Sequence, residues 1–225
     1  MCGIVGYIGS KNAVPILIDG LRKLEYRGYD SAGVAVITDS NLELRRSAGK
    51  IINLEEVIRN NPIQGNIGIA HTRWATHGRP CEENAHPHCD CHNQLVIVHN
   101  GIIENYAQLK EELISNGHQF TSQTDTEVIA HLIEEYLRED LGEAVRMALS
   151  KIEGAYALGV LSLKQPDRII AARLASPLIV GMGDGEFFIA SDVPAILPYT
   201  RQVIFLEDKE MAILTQDGVE ITTLE

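Results

Sequence analysis

Residues 168–190, RIIAARLASPLIVGMGDGEFFIA, decide the fold class. Apolar runs rich in β-branched and aromatic residues occur at 168–172, 177–180 and 187–190, and short turns separate them. Strands that follow one another without an intervening helix favour antiparallel pairing, because parallel strands need a long crossover connection. This stretch therefore predicts an antiparallel sheet.

The rest of the chain adds further strands and a smaller number of helices. Strands are also predicted at 3–8, 33–37, 66–70, 95–99, 155–163, 203–206, 211–215 and 219–222, the last two as a hairpin. Helical periodicity occurs at 14–21, 106–113, 128–136 and, more weakly, 143–150. We expect a left-handed cap at Asn116 and Gly117 and a capping box between Thr124 and Glu127. The pattern predicts an α+β fold of two packed sheets covered by helices.

Composition restricts the class of protein. No Pro/Gly/Ser-rich linker divides the 225 residues, so we expect one domain over 1–225. A net charge of −12 opposes nucleic-acid binding, and no apolar run approaches the roughly 20 residues that cross a membrane. The four cysteines do not form a disulfide framework, because Cys81, Cys89 and Cys91 crowd into one segment. These features favour a cytoplasmic protein with one cysteine kept for reactivity.

Cys2 is the first candidate for chemistry. If Met1 is removed, Cys2 bears both a thiol and the α-amine of the chain, whose ordinary pKa of about 7.7–8.0 suits a general base. A nucleophile that brings its own base is a known arrangement, and Gly3 leaves room for a substrate. From its position alone, a cysteine after the initiator methionine is more often an accident of sequence.

Residues 71–78, HTRWATHG, follow a predicted strand and are dense in hydrogen-bond donors. Arg73 has a planar guanidinium that suits a carboxylate, and Thr76 and His77 lie within one turn of it. The segment could be a capped turn with a solvent-exposed arginine. The concentration of donors beside Trp74, the only tryptophan, favours a binding loop.

Two further sites each have two interpretations. Asn100 and Gly101 follow a buried strand, where Asn-Gly is most often a turn but could also supply two donors to an oxyanion. Asp125 could interact only with the positive end of its helix, or it could bind a substrate ammonium group.

Taken together, these motifs resemble the class II, or N-terminal-nucleophile, glutamine amidotransferases over the whole chain. The resemblance rests on MCGIVG (1–6), EYRGYDSAG (25–33), HTRWATHG (71–78), NAHPH (84–88), HNGIIEN (99–105) and TDTEVIAH (124–131). Segments 26–33 and 71–78 are most similar to the branch whose full-length enzymes, expected to be homodimers, aminate fructose 6-phosphate through sugar-phosphate isomerase domains that this sequence does not include.

The resemblance implies a four-layer αββα sandwich and glutamine as the substrate, with no cofactor and no metal ion. It implies that Cys2 attacks the glutamine amide and that Asn100 and the Gly101 N–H form the oxyanion hole. The substrate carboxylate would be held by Arg73 with the Thr76–His77 turn, and the ammonium by Asp125. Further implied roles are loop closure by Trp74 and support near the nucleophile by Arg27 and Tyr29.

One segment departs from the family pattern. Cys81, Cys89 and Cys91 lie among His86, His88 and His92, and cysteine and histidine are the usual zinc ligands. The Cys-x-Cys spacing is tighter than zinc sites usually have, so we interpret the thiols as incidental. Two rival functions also stay open: supply of ammonia to a different acceptor, and a non-catalytic glutamine-sensing module.

Overall fold

A computed structural model of the chain describes residues 2–39 and 41–224. Met1, whose removal would free the α-amine of Cys2, lies outside this range. Among the described residues, thirteen strands form two sheets in which all neighbouring strands are antiparallel. The antiparallel pairing predicted from residues 168–190 is confirmed.

The two sheets are assembled from distant parts of the chain. In spatial order, the first sheet contains β11 (Gln202–Phe205), β9 (Ile179–Met182), β10 (Phe187–Ala190), β1 (Gly3–Ile8), β4 (Ile67–Arg73), β2 (Ser31–Ile37) and β3 (Leu42–Ala48). The second contains β13 (Gly218–Thr223), β12 (Glu210–Thr215), β8 (Arg168–Leu174), β7 (Gly154–Ser162), β6 (Leu95–Ile103) and β5 (His88–Cys89). The predicted closing hairpin is the β12–β13 pair, joined by Gln216 and Asp217.

Five helices cover the outer faces of the sheets. They are α1 (Ala13–Lys23), α2 (Ile51–Asn60), α3 (Tyr106–Ser115), α4 (Glu127–Tyr136) and α5 (Leu141–Leu149). One apolar core joins α1 and α2 to the first sheet, a second joins α3, α4 and α5 to the second sheet, and a third lies between the sheets. This is the expected α+β, four-layer αββα sandwich. None of the described helices is both long enough and apolar enough to cross a membrane.

The sequence analysis did not predict strands β3 and β5 or helix α2. All positions of β3 are half-buried, and its charged residues lie at the edge of the first sheet, where a strand does not need a continuous apolar run. Helix α2 does have helical spacing of apolar residues, with Ile51 and Leu54 buried and Ile58 packed against the same core, so its omission was an error of interpretation. Strand β5 has just two residues.

The expected helix ends had different outcomes. At the end of α3, Gly117 has a φ of 98° and the His118 N–H donates to the Leu113 carbonyl, which confirms the left-handed cap. The capping box before α4 was wrong. Glu127 instead accepts hydrogen bonds from the backbone N–H groups of Thr121 and Ser122, because the chain bends back over the helix start. Thr124 Oγ1 contacts His88 Nε2 at 3.0 Å.

Candidate active site

A cleft of about 460 Å³ opens where the ends of both sheets meet. This volume falls within the range that small-molecule ligands occupy. Its lining residues come from the chain start, the 3₁₀ turn before β2, the ends of β4 and β6, and the β8–β9 connection: Cys2, Arg27, Trp74, Thr76, Asn100, Gly101, Ile102, Ser176 and Pro177. The antiparallel order of β10, β1 and β4 places residue 2 at this end of the first sheet.

The Cys2 thiol lies beside the backbone of Trp74. The Trp74 N–H donates to Cys2 Sγ at 3.2 Å, and the Trp74 carbonyl oxygen lies 3.6 Å from the same sulfur. Burial raises the pKa of the Cys2 thiol above its ordinary value, while the Trp74 N–H and the charge of Arg73 act in the opposite direction. Because the net effect favours the protonated thiol at neutral pH, attack by this sulfur requires a base to accept its proton.

Asn100 is held against Cys2 by a buried histidine. Its amide nitrogen donates to the Cys2 carbonyl at 3.3 Å, and its amide oxygen lies 2.9 Å from His71 Nε2. Burial lowers the pKa of His71 to about 3, so the ring is neutral at working pH and carries its proton on Nε2 to donate to that oxygen. The amide is thereby fixed with its N–H₂ group towards residue 2.

Gly101 continues β6 at the cleft with a φ of 136°. A Cβ atom built at this position would lie 2.0 Å from the Ala155 carbonyl oxygen, so no other residue fits without displacing β7. The glycine also leaves the backbone at this point of β6 accessible from the cleft, which both Asn100 and Gly101 line.

The predicted binding loop is anchored by Asp30. The Asp30 N–H donates to the Arg73 carbonyl at 2.7 Å, and its carboxylate accepts from the Ala75 N–H at 2.6 Å. Trp74 is 54% exposed, and its ring packs over Gly28, where a Cβ would lie 3.0 Å from the indole. The loop is thus fixed at its base while Trp74 faces the cleft and solvent.

Arg73 lies beneath this loop and does not line the cleft. Its Nη2 atom donates to the carbonyls of His77 and Gly78, whereas its buried Nη1 atom has no hydrogen-bond partner among the described residues. A buried guanidinium with one unused amino group is suited to receive an anion.

Asp125 and His77 face each other near the same loop. One Asp125 oxygen accepts from the Ile103 N–H at 2.8 Å, and the other lies 4.0 Å from His77 Nδ1. The buried carboxylate is therefore oriented by β6, beside the Thr76–His77 turn. It does not line the cleft.

The two residues expected to support the nucleophile are placed differently. Arg27 lines the cleft and donates to the carbonyl oxygen and hydroxyl of Ser191, both at 3.3 Å. Tyr29 does not line the cleft; its hydroxyl donates to Glu25 and accepts from the Ile51 N–H at the start of α2.

The sequence analysis did not identify several residues that form or support the candidate site. His71 lies in the segment 71–78 and Asp30 in the segment 25–33. Their hydrogen-bond partners, Asn100 and Ala75, are 29 and 45 residues away in the chain, so no local pattern could predict these contacts. Ser176 and Pro177 line the cleft from the β8–β9 connection, in which Ala175 has a φ of 61°. That connection had no feature other than its Ser-Pro turn signal.

The cysteine- and histidine-rich segment does not come together as one cluster. His86 stacks on His71 with ring centroids 4.1 Å apart, and His88 contacts Thr124. Cys89 packs against the core between the sheets, where burial raises its thiol pKa to about 11. Cys91 is the one cysteine of this segment that joins a group of potential metal ligands, and the other members of that group come from elsewhere in the chain. The exposed His92 lies beside the group, with its Nε2 atom 3.5 Å from Glu134 Oε1.

Comparison with known proteins identifies the family. Residues 71–198, more than half of the chain, match the glutamine amidotransferase domain family. The chain is 55% identical to the glutamine–fructose-6-phosphate aminotransferase of Clostridium tetani and 56% identical to that of Thermus thermophilus. These alignments cover 98% and 100% of this chain but only 36% and 37% of the relatives. The chain therefore spans little more than a third of their length.

Solved structures give the same result. Glutamine phosphoribosylpyrophosphate amidotransferase from B. subtilis superposes with a TM-score of 0.85 at 30% identity, over all of this chain and 49% of that one. A class II glutamine aminotransferase domain protein from Silicibacter pomeroyi shares the fold, with a TM-score of 0.69 at 16% identity. From the matched residues and the shared architecture, we conclude that this chain belongs to the glutamine amidotransferase domain family.

Proposed function

We propose that this chain, as a single glutaminase domain, hydrolyses the side-chain amide of glutamine to glutamate and ammonia, with the Cys2 thiol as nucleophile. The observation that carries the proposal is the convergence of Cys2, Asn100 and Gly101 at one end of one cleft. A thiol and two potential donors to an oxyanion are the parts that acyl transfer needs.

The first half of the reaction forms a thioester. The Cys2 sulfur attacks the amide carbon of glutamine, and its proton passes to the α-amine of Cys2, which becomes available once Met1 is removed. The Asn100 amide and the Gly101 N–H stabilise the tetrahedral oxyanion. The protonated amine then gives its proton to the leaving nitrogen, so ammonia departs and a glutamyl thioester remains.

The second half releases glutamate. The α-amine takes a proton from water, the resulting hydroxide attacks the thioester carbon, and the C–S bond breaks to regenerate the thiol. The same two donors stabilise the second oxyanion, and the N–H of Trp74, 3.2 Å from Sγ, stabilises the departing thiolate.

Substrate selection would use opposite charges on the two sides of the loop. Arg73 supplies the cation for the substrate carboxylate through its unused Nη1, together with the Thr76–His77 turn. Asp125 supplies the anion for the substrate ammonium, and Trp74 closes over the bound glutamine. Since neither Arg73 nor Asp125 lines the cleft before substrate binds, we propose that the loop rearranges when glutamine enters.

The acceptor of the ammonia belongs to the longer protein. Relatives more than 50% identical to this chain are named glutamine–fructose-6-phosphate aminotransferase, so we propose fructose 6-phosphate, bound by further domains, as the acceptor. The product would be glucosamine 6-phosphate. We further propose a cytoplasmic, homodimeric full-length enzyme that does not bind nucleic acid.

Release of glutamate and ammonia from glutamine by the purified chain tests the proposal. We expect turnover by the wild type and a loss of more than about a thousandfold in Cys2→Ser, because the hydroxyl is a far weaker nucleophile. Cys89→Ser is the matched control and should keep full activity. Equal turnover by Cys2→Ser and the wild type would contradict the proposal.

A further inference from the structure

Four potential metal ligands converge on the outer side of the second sheet, in a group distinct from the residues that line the Cys2 cleft. They are Cys91, from the loop after β5; His118, just beyond α3; and His131 and Glu134, both on α4. Their ligand atoms all lie within 4.8 Å of one another. We propose that this group, the 91–134 cluster, is a structural zinc site.

The distances within the 91–134 cluster describe a tetrahedron. Cys91 Sγ lies 3.6 Å from His118 Nδ1 and 3.4 Å from His131 Nδ1. The two Nδ1 atoms are 3.3 Å apart, and each lies 3.1 Å from Glu134 Oε2. Zinc bonds of about 2.0–2.3 Å in tetrahedral geometry place neighbouring ligand atoms about 3.3–3.6 Å apart. Five of the six edges therefore have lengths close to those that a zinc ion imposes.

The surroundings of His131 favour a cation at the centre, because its Nε2 atom is buried without a hydrogen-bond partner among the described residues. Its ring is 1% exposed and lies between two carboxylates, with Nε2 3.6 Å from Glu127 Oε1 and Nδ1 3.1 Å from Glu134. A neutral imidazole has one N–H, so one of its nitrogens would direct a lone pair at a carboxylate. A metal ion on Nδ1 removes this conflict, because Nε2–H then points to Glu127.

Glu127 provides the support that a zinc-bound histidine usually has. Its carboxylate accepts from the backbone N–H groups of Thr121 and Ser122 at 2.8 and 2.7 Å, so its position is fixed. A carboxylate behind a histidine fixes the ring tautomer and makes the ligand more basic. The Cys91 sulfur accepts from the Gln119 N–H at 3.4 Å, an interaction that stabilises a thiolate.

The composition of the site indicates zinc and a structural role. Thiolate, imidazole and carboxylate are the ligand types that zinc accepts together, and four protein ligands leave no open position for a substrate. A surface pocket lined by Cys91, His118 and Glu134 gives an ion access from solvent. The metal would join three segments, the β5–β6 loop, the end of α3 and α4, and so stabilise the helical layer over the second sheet.

Metal analysis of the freshly purified chain, expressed without a polyhistidine tag, tests the site. We expect stoichiometric zinc in the wild type and only background levels in Cys91→Ser and His118→Ala. The matched control is Cys89→Ser, which removes a thiol two residues from Cys91 but outside the cluster, and it should keep its zinc. A chelator should lower the Tm of the wild type and leave that of Cys91→Ser unchanged.

Cobalt substitution keeps the test decisive if a variant fails to fold. The wild type dialysed against Co²⁺ should show the intense visible bands of tetrahedral cobalt and a sulfur-to-cobalt charge-transfer band, and added zinc should abolish both. Absence of stoichiometric zinc and of these cobalt bands in the wild type would overturn the proposal, since the cluster would then be a protonated histidine–carboxylate network. Zinc retained by a folded Cys91→Ser variant would overturn it equally.

Discussion

The histidines behind the Cys2 cleft and those of the 91–134 cluster use the same side chain in different ways. All eight histidines lie between residues 71 and 131. Behind the cleft, His71 faces the amide of Asn100 and His99 faces the hydroxyl of Thr126, each within hydrogen-bond distance. In the cluster, two rings direct Nδ1 at the same point as a thiol and a carboxylate. Convergence of donor atoms, not residue type, distinguishes a metal site from a positioning network.

Among variants that keep the Cys2 thiol, the largest effect is expected from Asn100→Ala, which alters the cleft and leaves the cluster intact. Loss of one oxyanion donor typically reduces kcat by about 10²–10³-fold, and KM for glutamine should change little because Asn100 acts on the transition state. Steady-state glutaminase kinetics measure both values. Zinc content is the internal control and should equal that of the wild type. Unchanged kcat would remove Asn100 from the mechanism.

A smaller effect is expected at His71, which acts through Asn100. His71→Leu removes the donor to the Asn100 amide oxygen, and loss of one such hydrogen bond should lower kcat by about tenfold. His71→Gln should restore most of kcat, because its amide nitrogen can occupy the position of Nε2. Circular dichroism would show that both variants are folded. Equal kcat in the Leu and Gln variants would contradict a positioning role.

The smallest effect is a dependence of stability on pH that arises behind the cleft. Burial lowers the pKa of His71 and His88 to about 3, from an ordinary value of 6.5. Between these values the unfolded chain binds more protons than the folded chain. The contribution of these two histidines to the free energy of unfolding is therefore fully present above pH 6.5, and it is lost progressively as the pH falls towards 3.

The corresponding measurement is Tm against pH in the Cys91→Ser background, where loss of metal in acid cannot contribute. Tm should fall as the pH drops below 6.5, and it should fall less steeply when His71→Gln is added. Burial, together with the charges of His99 and Arg73, disfavours protonation of His71, so this contribution should not reverse sign. A Tm independent of pH in this interval would contradict the assignment of neutral buried histidines.

The sequence predicted the parts of the fold that depend on local periodicity. Strands β8, β9 and β10 and helices α1, α3, α4 and α5 lie where alternation or helical spacing placed them. Edge strand β3 was missed because it is only half-buried and its charges interrupt the pattern. The capping box failed because a local motif cannot show that Glu127 is occupied by the preceding backbone.

Within the candidate site, local motifs located residues but not their partners. Cys2, Trp74, Thr76, Asn100 and Gly101 were predicted and all line the cleft. The role of Asp30, which anchors the loop through Ala75, depends on a contact between distant segments. The sequence also separated the 91–134 cluster into unrelated pieces. Cys91 was grouped with its neighbours in the chain. Its association with His131 and Glu134, which lie three residues apart on one face of α4, depends on the tertiary fold.

Intact-mass spectrometry after treatment with an electrophilic glutamine analogue tests the central claim, that Cys2 is the nucleophile, most directly. The account predicts a protein that lacks Met1 and gains a single adduct, which peptide mapping places on Cys2 and which is absent from Cys2→Ser. Covalent labelling at Cys81, Cys89 or Cys91 with Cys2 unmodified, or full glutaminase activity in a chain that still begins with Met1, would contradict it.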